Sequence, residues 1–584
     1  MSERKQATKR VAADTIREAL AAMKKEPSAI AGGLVFFAVI AFWVWRVQKG
    51  VDLSDESFYL GQPLRFALGD RPFFDERSSL QGAGLIELPI VALYHFVVKS
   101  NAGLMLFMRL VYLTFLTAIG VGLASAVRGW ISRGTALACG AIACFFVPYC
   151  IYQLSYNTLG GGLAMLAGLT VVRLSRTEGT TARAARRYAM FAGVCVASAA
   201  LAYPTLLPLA GVHAVTLLLF GRKPLGWWRT LAYYAMGGGA VCLYVCLFLL
   251  RSGFGSIKLT IDFVRAWGPS LTGEVSKVPT AIEGFKQDWF YAFLVVSALA
   301  ILARRVRLAV FVLALYLPTL ALPTTQTDTG ASMRFFTCLS LFAPVFALLV
   351  EDRRRAFQLL ASVWVPGIIV GTLTGISSSN GGIASGLGGF AGVLVGAILA
   401  SRACEEAIGR WRGLLGGSSI AAPLAVLWAL VKLATAENAV YRDDPLDKLT
   451  DKVRVGPYKG LKTTAEHRKV VEQMHADIVE HAGDGRYALF LTDFPSGYLS
   501  ANRRGAIVEL WSSKELERNK ISTEIFRERS AEVSLVGFRS CGHQFWRACS
   551  ATPSLRADNP LIQAVTETHV VAVKRPEYTL LKPR

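Results

Sequence analysis

Three carboxylates, Asp52, Asp55 and Glu56, are followed at once by Phe58 and Tyr59 in the stretch VDLSDESFYLGQPLRFALGDRPFFDERSSLQGAGLIE, residues 51–87. A second acidic pair, Asp75 and Glu76, lies in the same stretch. Apolar runs flank it, so these groups sit at a membrane-water boundary, where an ionisable side chain is costly unless it is solvated or used. The stretch therefore reads as the active-site loop of a membrane enzyme. The plainer alternative is that the acids solvate a loop or pair with Arg65 or Arg71. They could also hold a divalent cation. Hard cations need several oxygen ligands in a set geometry, however, and the chain offers no further constellation, so no metal is expected to be required. No pair of histidines has metal-ligand spacing, and no nucleophilic triad signature is present; His95 and His213 read as interfacial or packed side chains.

The chain that must position these groups is 584 residues long, 53% hydrophobic and 18% charged, with mean hydropathy +0.41. Those values lie outside the range of soluble globular domains and predict a polytopic α-helical membrane protein. The net charge of +22 raises nucleic acid as a partner, but its distribution argues against one. Residues 1–434 carry 40 Lys+Arg against 21 Asp+Glu, whereas the last 150 residues carry 23 against 20. The excess falls in short loops between apolar spans, as the positive-inside rule expects, rather than on one basic face, so no nucleic-acid binding is predicted.

Residues 1–27 form a basic cytoplasmic segment, with Val11, Ile16, Leu20 and Met23 at helical spacing. Ser28–Val47 is about 20 residues, long enough to cross the hydrocarbon core. The outer loop 48–84 follows. The next apolar run, 85–98, holds about 14 residues and includes Glu87, Pro89 and His95, which predicts an interfacial or re-entrant helix rather than a span. With that segment uncrossed, the inner loops hold 26 Lys+Arg and 9 Asp+Glu, and the outer ones before residue 435 hold 14 and 12. Making it a span would invert every later loop. The later spans include Arg109–Val127, Gly134–Tyr152, Leu159–Val172, a hairpin over Tyr188–Phe220 broken at Tyr203-Pro204, and a last span at Gly413–Ala434. The count is about thirteen, in a membrane domain over 28–434. Glycines between Gly371 and Gly396 permit close helix contact.

Residues 435–584 read as one extramembrane α/β domain on the outer side. Thr463-x-x-Glu466 looks like a capping box for a helix that Gly483 stops. Strand-like runs follow at Tyr487–Thr492, Ala506–Leu510, Glu532–Val536 and His569–Val573, with a helix over Ser513–Arg529. Of ten cysteines only Cys541 and Cys549 fall here, in CGHQFWRAC, and outside an oxidising membrane face they are expected to form a short-loop disulfide.

A basic N-terminus, one span, Asp55-Glu56 with aromatics behind it, then RPFFDERSS and an interfacial helix, together resemble the start of the GT-C superfamily of glycosyltransferases. These enzymes use polyprenyl-phosphate sugars and include protein mannosyltransferases and aminoarabinose transferases. The resemblance extends to Arg109-Leu110 opening the next span, to the number of spans and to the outer C-terminal domain. It implies a GT-C-like arrangement in the cytoplasmic (inner) membrane, N-terminus inside and C-terminal domain outside. It also implies inverting transfer of a sugar from a polyprenyl-phosphate donor to a hydroxyl of a glycan, lipid or protein acceptor. An attacking hydroxyl needs a carboxylate to take its proton, which makes Asp55 the general base, with Glu56 orienting it or binding acceptor. Asp52, Asp75 and Glu76 are further substrate-binding candidates, as is Tyr59. A leaving phosphate calls for cations, for which Arg109, Lys258, Arg265 and Arg334 are candidates, the last near Asp328; each is equally placed to snorkel. Tyr156 and Asn157 lie at the outer end of a span, where they could stack on sugar or form an interface belt and helix start. Two other readings are a lipid-linked-glycan flippase or transporter, disfavoured by the lack of an internal repeat, and a non-catalytic envelope-glycan assembly protein.

Overall fold

The computed structural model describes residues 27–175, 181–220, 225–266, 333, 336–337, 339–378, 380–415, 440–510, 516–539, 546 and 559–584, the side chains at 27, 407–415 and 516–518 excepted. Among the described residues seven helices are long and apolar enough to cross a membrane: Ser28–Arg46, Gln81–Val98, Leu104–Val127, Tyr156–Leu174, Trp227–Ser252, Arg353–Ser377 and Gly381–Glu406. Large apolar side chains stand on their outer faces, among them Phe37, Phe96 and Leu247. Burying such surface in lipid is the stable arrangement, and the chain is a multi-pass integral membrane protein. The basic N-terminal segment and most of Gly413–Ala434 lie outside the described residues.

The helices that frame the acidic stretch are α1 (Pro27–Arg46), α2 (Asp55–Ala67), α3 (Gln81–Val98), α4 (Leu104–Val127), α5 (Arg133–Ala143) and α6 (Tyr156–Leu174). Helix α1 starts on Pro27, whose missing N–H costs nothing in a first turn. Helix α3 has 18 residues, not about 14, because it begins at Gln81. The length reason for keeping it out of the bilayer therefore fails. Its placement is nevertheless distinctive, since both ends meet the C-terminal domain. Just before it, the Arg77 N–H donates to Val508 O at 2.8 Å; just after it, Asn101 Nδ2 donates to Leu499 O at 3.0 Å and Gly103 N to Gly456 O at 3.1 Å.

The predicted span Gly134–Tyr152 is also corrected. Helix α5 stops at Ala143, and residues 144–155 run as irregular, almost wholly buried backbone with Tyr149 and Cys150 at positive φ. Non-helical chain at membrane depth is tolerated only where protein surrounds it, which is the case here. The break at Tyr203-Pro204 occurs as expected, between Ala182–Ala202 and Leu209–Phe220. Close approach at glycine is seen where Gly388 meets Gly367: a Cβ on Gly388 would stand 1.9 Å from the Gly367 carbonyl oxygen.

In the C-terminal domain a two-stranded ribbon, β1 (Asp451–Lys452) and β2 (Lys462–Thr463), precedes a helix over Ala465–His481. The cap of that helix is Thr464, whose hydroxyl accepts from His467 N, one residue later than predicted. A five-stranded mixed sheet follows in the order β4-β3-β5-β7-β6, built from β3 (Tyr487–Leu491), β4 (Arg504–Gly505), β5 (Val533–Arg539), β6 (His569–Lys574) and β7 (Tyr578–Pro583). Strands β3 and β5 are buried along their whole length, the mark of a sheet covered on both faces. Ala506–Leu510 is not a strand. Only its first residue still bonds the sheet, Ala506 N donating to Ala488 O at 2.9 Å; the carbonyls at Ile507 and Val508 accept from Arg65 Nη2 on α2 and from the Arg77 N–H.

Candidate active site

Asp52, Asp55 and Glu56 enter three different environments because of where α2 begins. The first N–H groups of a helix have no internal partner. Asp52 supplies one: its carboxylate accepts from Ser54 N at 3.0 Å, Ser54 Oγ at 2.7 Å and Glu56 N at 2.8 Å. Its side chain is thereby used as a helix cap rather than offered to a ligand.

Glu56 is turned the other way and is buried. It accepts from the Arg109 guanidinium and, at 3.0 Å, from Tyr152 N. Arg109 Nη1 also donates to Val47 O at 2.9 Å, Lys49 O at 3.2 Å and Gly50 O at 3.0 Å. It thus joins the end of α1, the start of α2 and α4. Burial pushes the Glu56 carboxyl up, against the pull of Arg109. The expected phosphate ligand Arg109 is spent on this pair, and the expected orienting acid Glu56 orients the scaffold instead.

Asp55 is the half-buried member. Its Oδ2 accepts from the Tyr441 hydroxyl and lies 3.2 Å from Arg442 Nη2, while Arg442 Nη1 bonds Ser54 Oγ. Burial and, next, the Asp52 charge push its carboxyl up to about 6, with Arg442 and the Tyr441 hydrogen bond opposing and Asp493 adding a further upward push. A carboxyl placed there is ionised at neutral pH and more basic than an ordinary aspartate, which suits a proton acceptor. One helical turn on, Tyr59 meets Tyr156 edge-on with ring centroids 5.7 Å apart, and Tyr156 leans on Tyr203 at 5.3 Å. These rings form an aromatic wall beside the acid. Asn157 is buried next to Tyr156, but α6 is started by Ser155 and Thr158 in a capping box, so Asn157 is not the cap.

Asp75 and Glu76 do not join Asp55. Arg65, some ten residues or about 15 Å further along α2, takes Asp70 Oδ2 at 2.6 Å, Glu76 Oε2 at 2.8 Å and Asp75 O at 2.9 Å. Asp75 is held besides by Arg71 at 3.1 Å, Arg504 at 3.2 Å and Arg529 at 2.6 Å. Burial pushes Asp75 up, but the Arg71 backbone and side chain together with Arg529 outweigh it and hold the carboxyl below the usual range. The network fastens the outer loop to the C-terminal domain. Lys258 and Arg265 are exposed on the helix Gly255–Arg265, which touches that loop where Thr260 Oγ1 donates to Phe73 O at 3.0 Å. Asp328, Arg334, Cys541 and Cys549 lie outside the described residues.

Tyr441, Arg442 and Asp443 were missed by the sequence reading, in which they fall just past the start of the extramembrane domain at residue 435. They form a strap across the start of α2. Gly50, at φ +86, admits it, since a Cβ there would stand 2.4 Å from Val440 Cγ1. Asp443 Oδ2 accepts from Val51 N at 2.8 Å and Thr463 Oγ1 at 2.8 Å, and Oδ1 lies 2.7 Å from His467 Nδ1. Asp443, Asp444 and His467 bring possible metal-ligand atoms within 4.8 Å of one another. Hydrogen bonding already occupies both oxygens of Asp443, and that accounts for the cluster without an ion. The signal available in the sequence was the polar YRDDP run directly after the last span.

No protein-family model matches the chain, and no curated protein matches it. Among solved structures it is similar to ArnT from Cupriavidus metallidurans in the apo state, at 13% identity and TM-score 0.43 over 95% of this chain and 98% of that one. The same enzyme bound to undecaprenyl phosphate matches at 12% identity and TM-score 0.43, over 94% and 97%. The oligosaccharyltransferase AglB from Archaeoglobus fulgidus, in complex with an inhibitory peptide and a dolichol-phosphate, matches at 12% identity and TM-score 0.43, over 95% and 74%. At such scores the likeness to these GT-C membrane glycosyltransferases says nothing of site or activity.

Proposed function

We propose that the protein is an inverting membrane glycosyltransferase that moves a sugar from a polyprenyl-phosphate donor to a hydroxyl of a glycan, lipid or protein acceptor. One observation carries the proposal. Of the three clustered acids, Asp52 is used as a cap and Glu56 as a buried ion-pair partner, while Asp55 is the half-buried one, pushed up to about 6 and beside an aromatic wall. In the step proposed, the acceptor hydroxyl gives its proton to an Asp55 oxygen as its oxygen bonds the anomeric carbon. The carbon-oxygen bond to phosphate breaks, and lipid phosphate leaves with the electron pair. Tyr59 and Tyr156 offer ring faces to the sugar, and nearby carboxylate charge steadies positive charge on the sugar ring.

The topology belongs to the same proposal. Helix α3 lies along the outer surface without crossing, a reading supported by hydrogen bonds from both of its ends to the C-terminal domain. The N-terminus is then cytoplasmic and the domain extracytoplasmic, with Asp55 between domain and lipid.

Asp55→Asn tests the chemistry. It is expected to abolish sugar transfer from a polyprenyl-phosphate sugar while the protein still folds and binds polyprenyl phosphate. Retained transfer would remove Asp55 as the base, and a flippase or scaffold would be indifferent to the change.

A further inference from the structure

Arg442 is held in place more firmly than a surface arginine needs to be. Its backbone is in the left-handed region at φ +54, a conformation that costs a non-glycine residue energy and persists where the surroundings impose it. Trp546 Nε1 donates to its carbonyl at 2.7 Å, Tyr441 lies under its guanidinium at 4.8 Å from the ring centroid, and the side chain remains 24% exposed. The guanidinium is therefore aimed at the Asp55 carboxylate with one side open. Planar guanidinium forks bind phosphate oxygens as well as carboxylate oxygens.

We propose that Arg442 is the cation that receives the lipid phosphate, and that it does so by exchanging the Asp55 carboxylate for the phosphate, so that arrival of donor frees the base. The proposal rests on Asp55 being the base and a lipid phosphate being the leaving group. It replaces Arg109, which is buried and whose Nη1 and Nη2 are held by three carbonyls and Glu56. The physical consequence is a coupling. While Arg442 faces Asp55 it depresses the acid's basicity; once the phosphate draws it away, Asp55 loses that cation and gains an anionic neighbour, and its affinity for a proton rises just when an acceptor hydroxyl must be deprotonated. The other groups that act on Asp55 are Asp52 in its own loop, Tyr441 on the strap and Asp493 after β3, and its charge is felt in turn by Tyr59 and Tyr156. None of these is a cation; the buried Arg539 stands near Asp493, Asp52 and Arg442, but Arg442 is the cation paired with Asp55, and its departure gives the upward change.

The test uses the purified full-length protein in detergent, with a polyprenyl monophosphate and inorganic phosphate as separate probes. Infrared titration follows the protonated carboxyl band that Asp55→Asn removes, and lipid binding is measured in parallel. In the wild type the lipid is expected to move the Asp55 midpoint upward. In Arg442→Gln the midpoint is expected to be raised already without lipid, the lipid to shift it no further, and lipid affinity to fall about 10- to 100-fold, the range for a lost charge-assisted contact. Arg442→Lys, which keeps the charge and loses the fork, is expected to fall between. If both variants bind lipid as the wild type does and show the same shift, the role of Arg442 is overturned while the transferase reading stands. If the wild type binds no polyprenyl phosphate, both fall together. If inorganic phosphate at equal concentration shifts Asp55 as far as the lipid does, the site is one for free phosphate and the assignment to a leaving lipid is overturned.

Discussion

Removing the guanidinium of Arg109 discriminates between a ligand and a scaffold role for the most connected arginine near the site. In Arg109→Met the apolar stem is kept, but the buried Glu56 carboxylate loses its ion pair, and Val47, Lys49 and Gly50 lose a donor to their carbonyls. Glu56 retains only the Tyr152 N–H of the contacts described here. Breaking a buried pair from one side costs about 3–5 kcal/mol, because the remaining charge is left in a medium that cannot solvate it. The lost carbonyl contacts keep the value toward the upper end, at about 1 kcal/mol each where water does not replace them. Denaturant titration in mixed micelles is expected to show that loss. Glu56→Gln/Arg109→Met is expected to lose clearly less than the sum of the two single changes, since the uncompensated carboxylate is gone. A ligand role predicts the reverse: unchanged stability and weakened polyprenyl-phosphate binding. Finding Arg109→Met within about 1 kcal/mol of wild type would refute the scaffold assignment.

The other expectations concern pH, docking and topology. Because the folded Asp55 carboxyl is raised to about 6 from 3.8, the folded state holds its proton more tightly; the acid lowers stability as pH rises through that window, by ~3 kcal/mol at most. Asp55→Asn is accordingly expected to stabilise the protein at neutral pH and to gain nothing near pH 4, and an equal gain at both would contradict the assignment. At low donor concentration, transfer by the wild type is expected to rise with pH through about 6, the acidic limb of an ionised base in the free protein. Tyr441→Phe removes a hydrogen bond to the ionised form and is expected to move that limb upward in a pH-rate profile; a downward or absent shift counts against it. Arg65→Met takes one cation from the buried Asp70, which keeps Arg504, and from Glu76, which keeps the Ser78 N–H; it is expected to make the C-terminal domain cleavable by protease under conditions where the wild type resists, with a cost of about 3 kcal/mol. Single cysteines at Ser79 and Lys99 are expected to react with an impermeant reagent from one side of the membrane and one at Arg128 from the other, so labelling of Ser79 and Lys99 from opposite sides would make α3 a span.

Sequence alone was enough for features that depend on composition and local chemistry. Apolar runs of bilayer length in a chain of mean hydropathy +0.41 dictate a polytopic helical membrane protein, since a single continuous apolar segment satisfies its own backbone polar groups in lipid only as a helix. The break at Tyr203-Pro204 follows from proline's missing donor, and the buried alternation-free strands Tyr487–Leu491 and Val533–Arg539 follow from their β-branched and aromatic content. The acidic stretch stood out as a candidate site because carboxylates between apolar runs demand a reason. What the sequence could not divide was the labour among those carboxylates. Asp52, Asp55 and Glu56 are chemically near-equivalent in a string of letters, and what separates them is their partners: the adjacent N–H groups at the start of α2 for Asp52, and, brought from afar, Arg109 for Glu56 and Tyr441 and Arg442 for Asp55. The same holds for Asp75, which became part of a clamp only when Arg504 and Arg529 folded onto it. Charge can be counted along a chain, but the burial and pairing that decide what each charge does exist only once the domain after the last span has closed over the loop after the first.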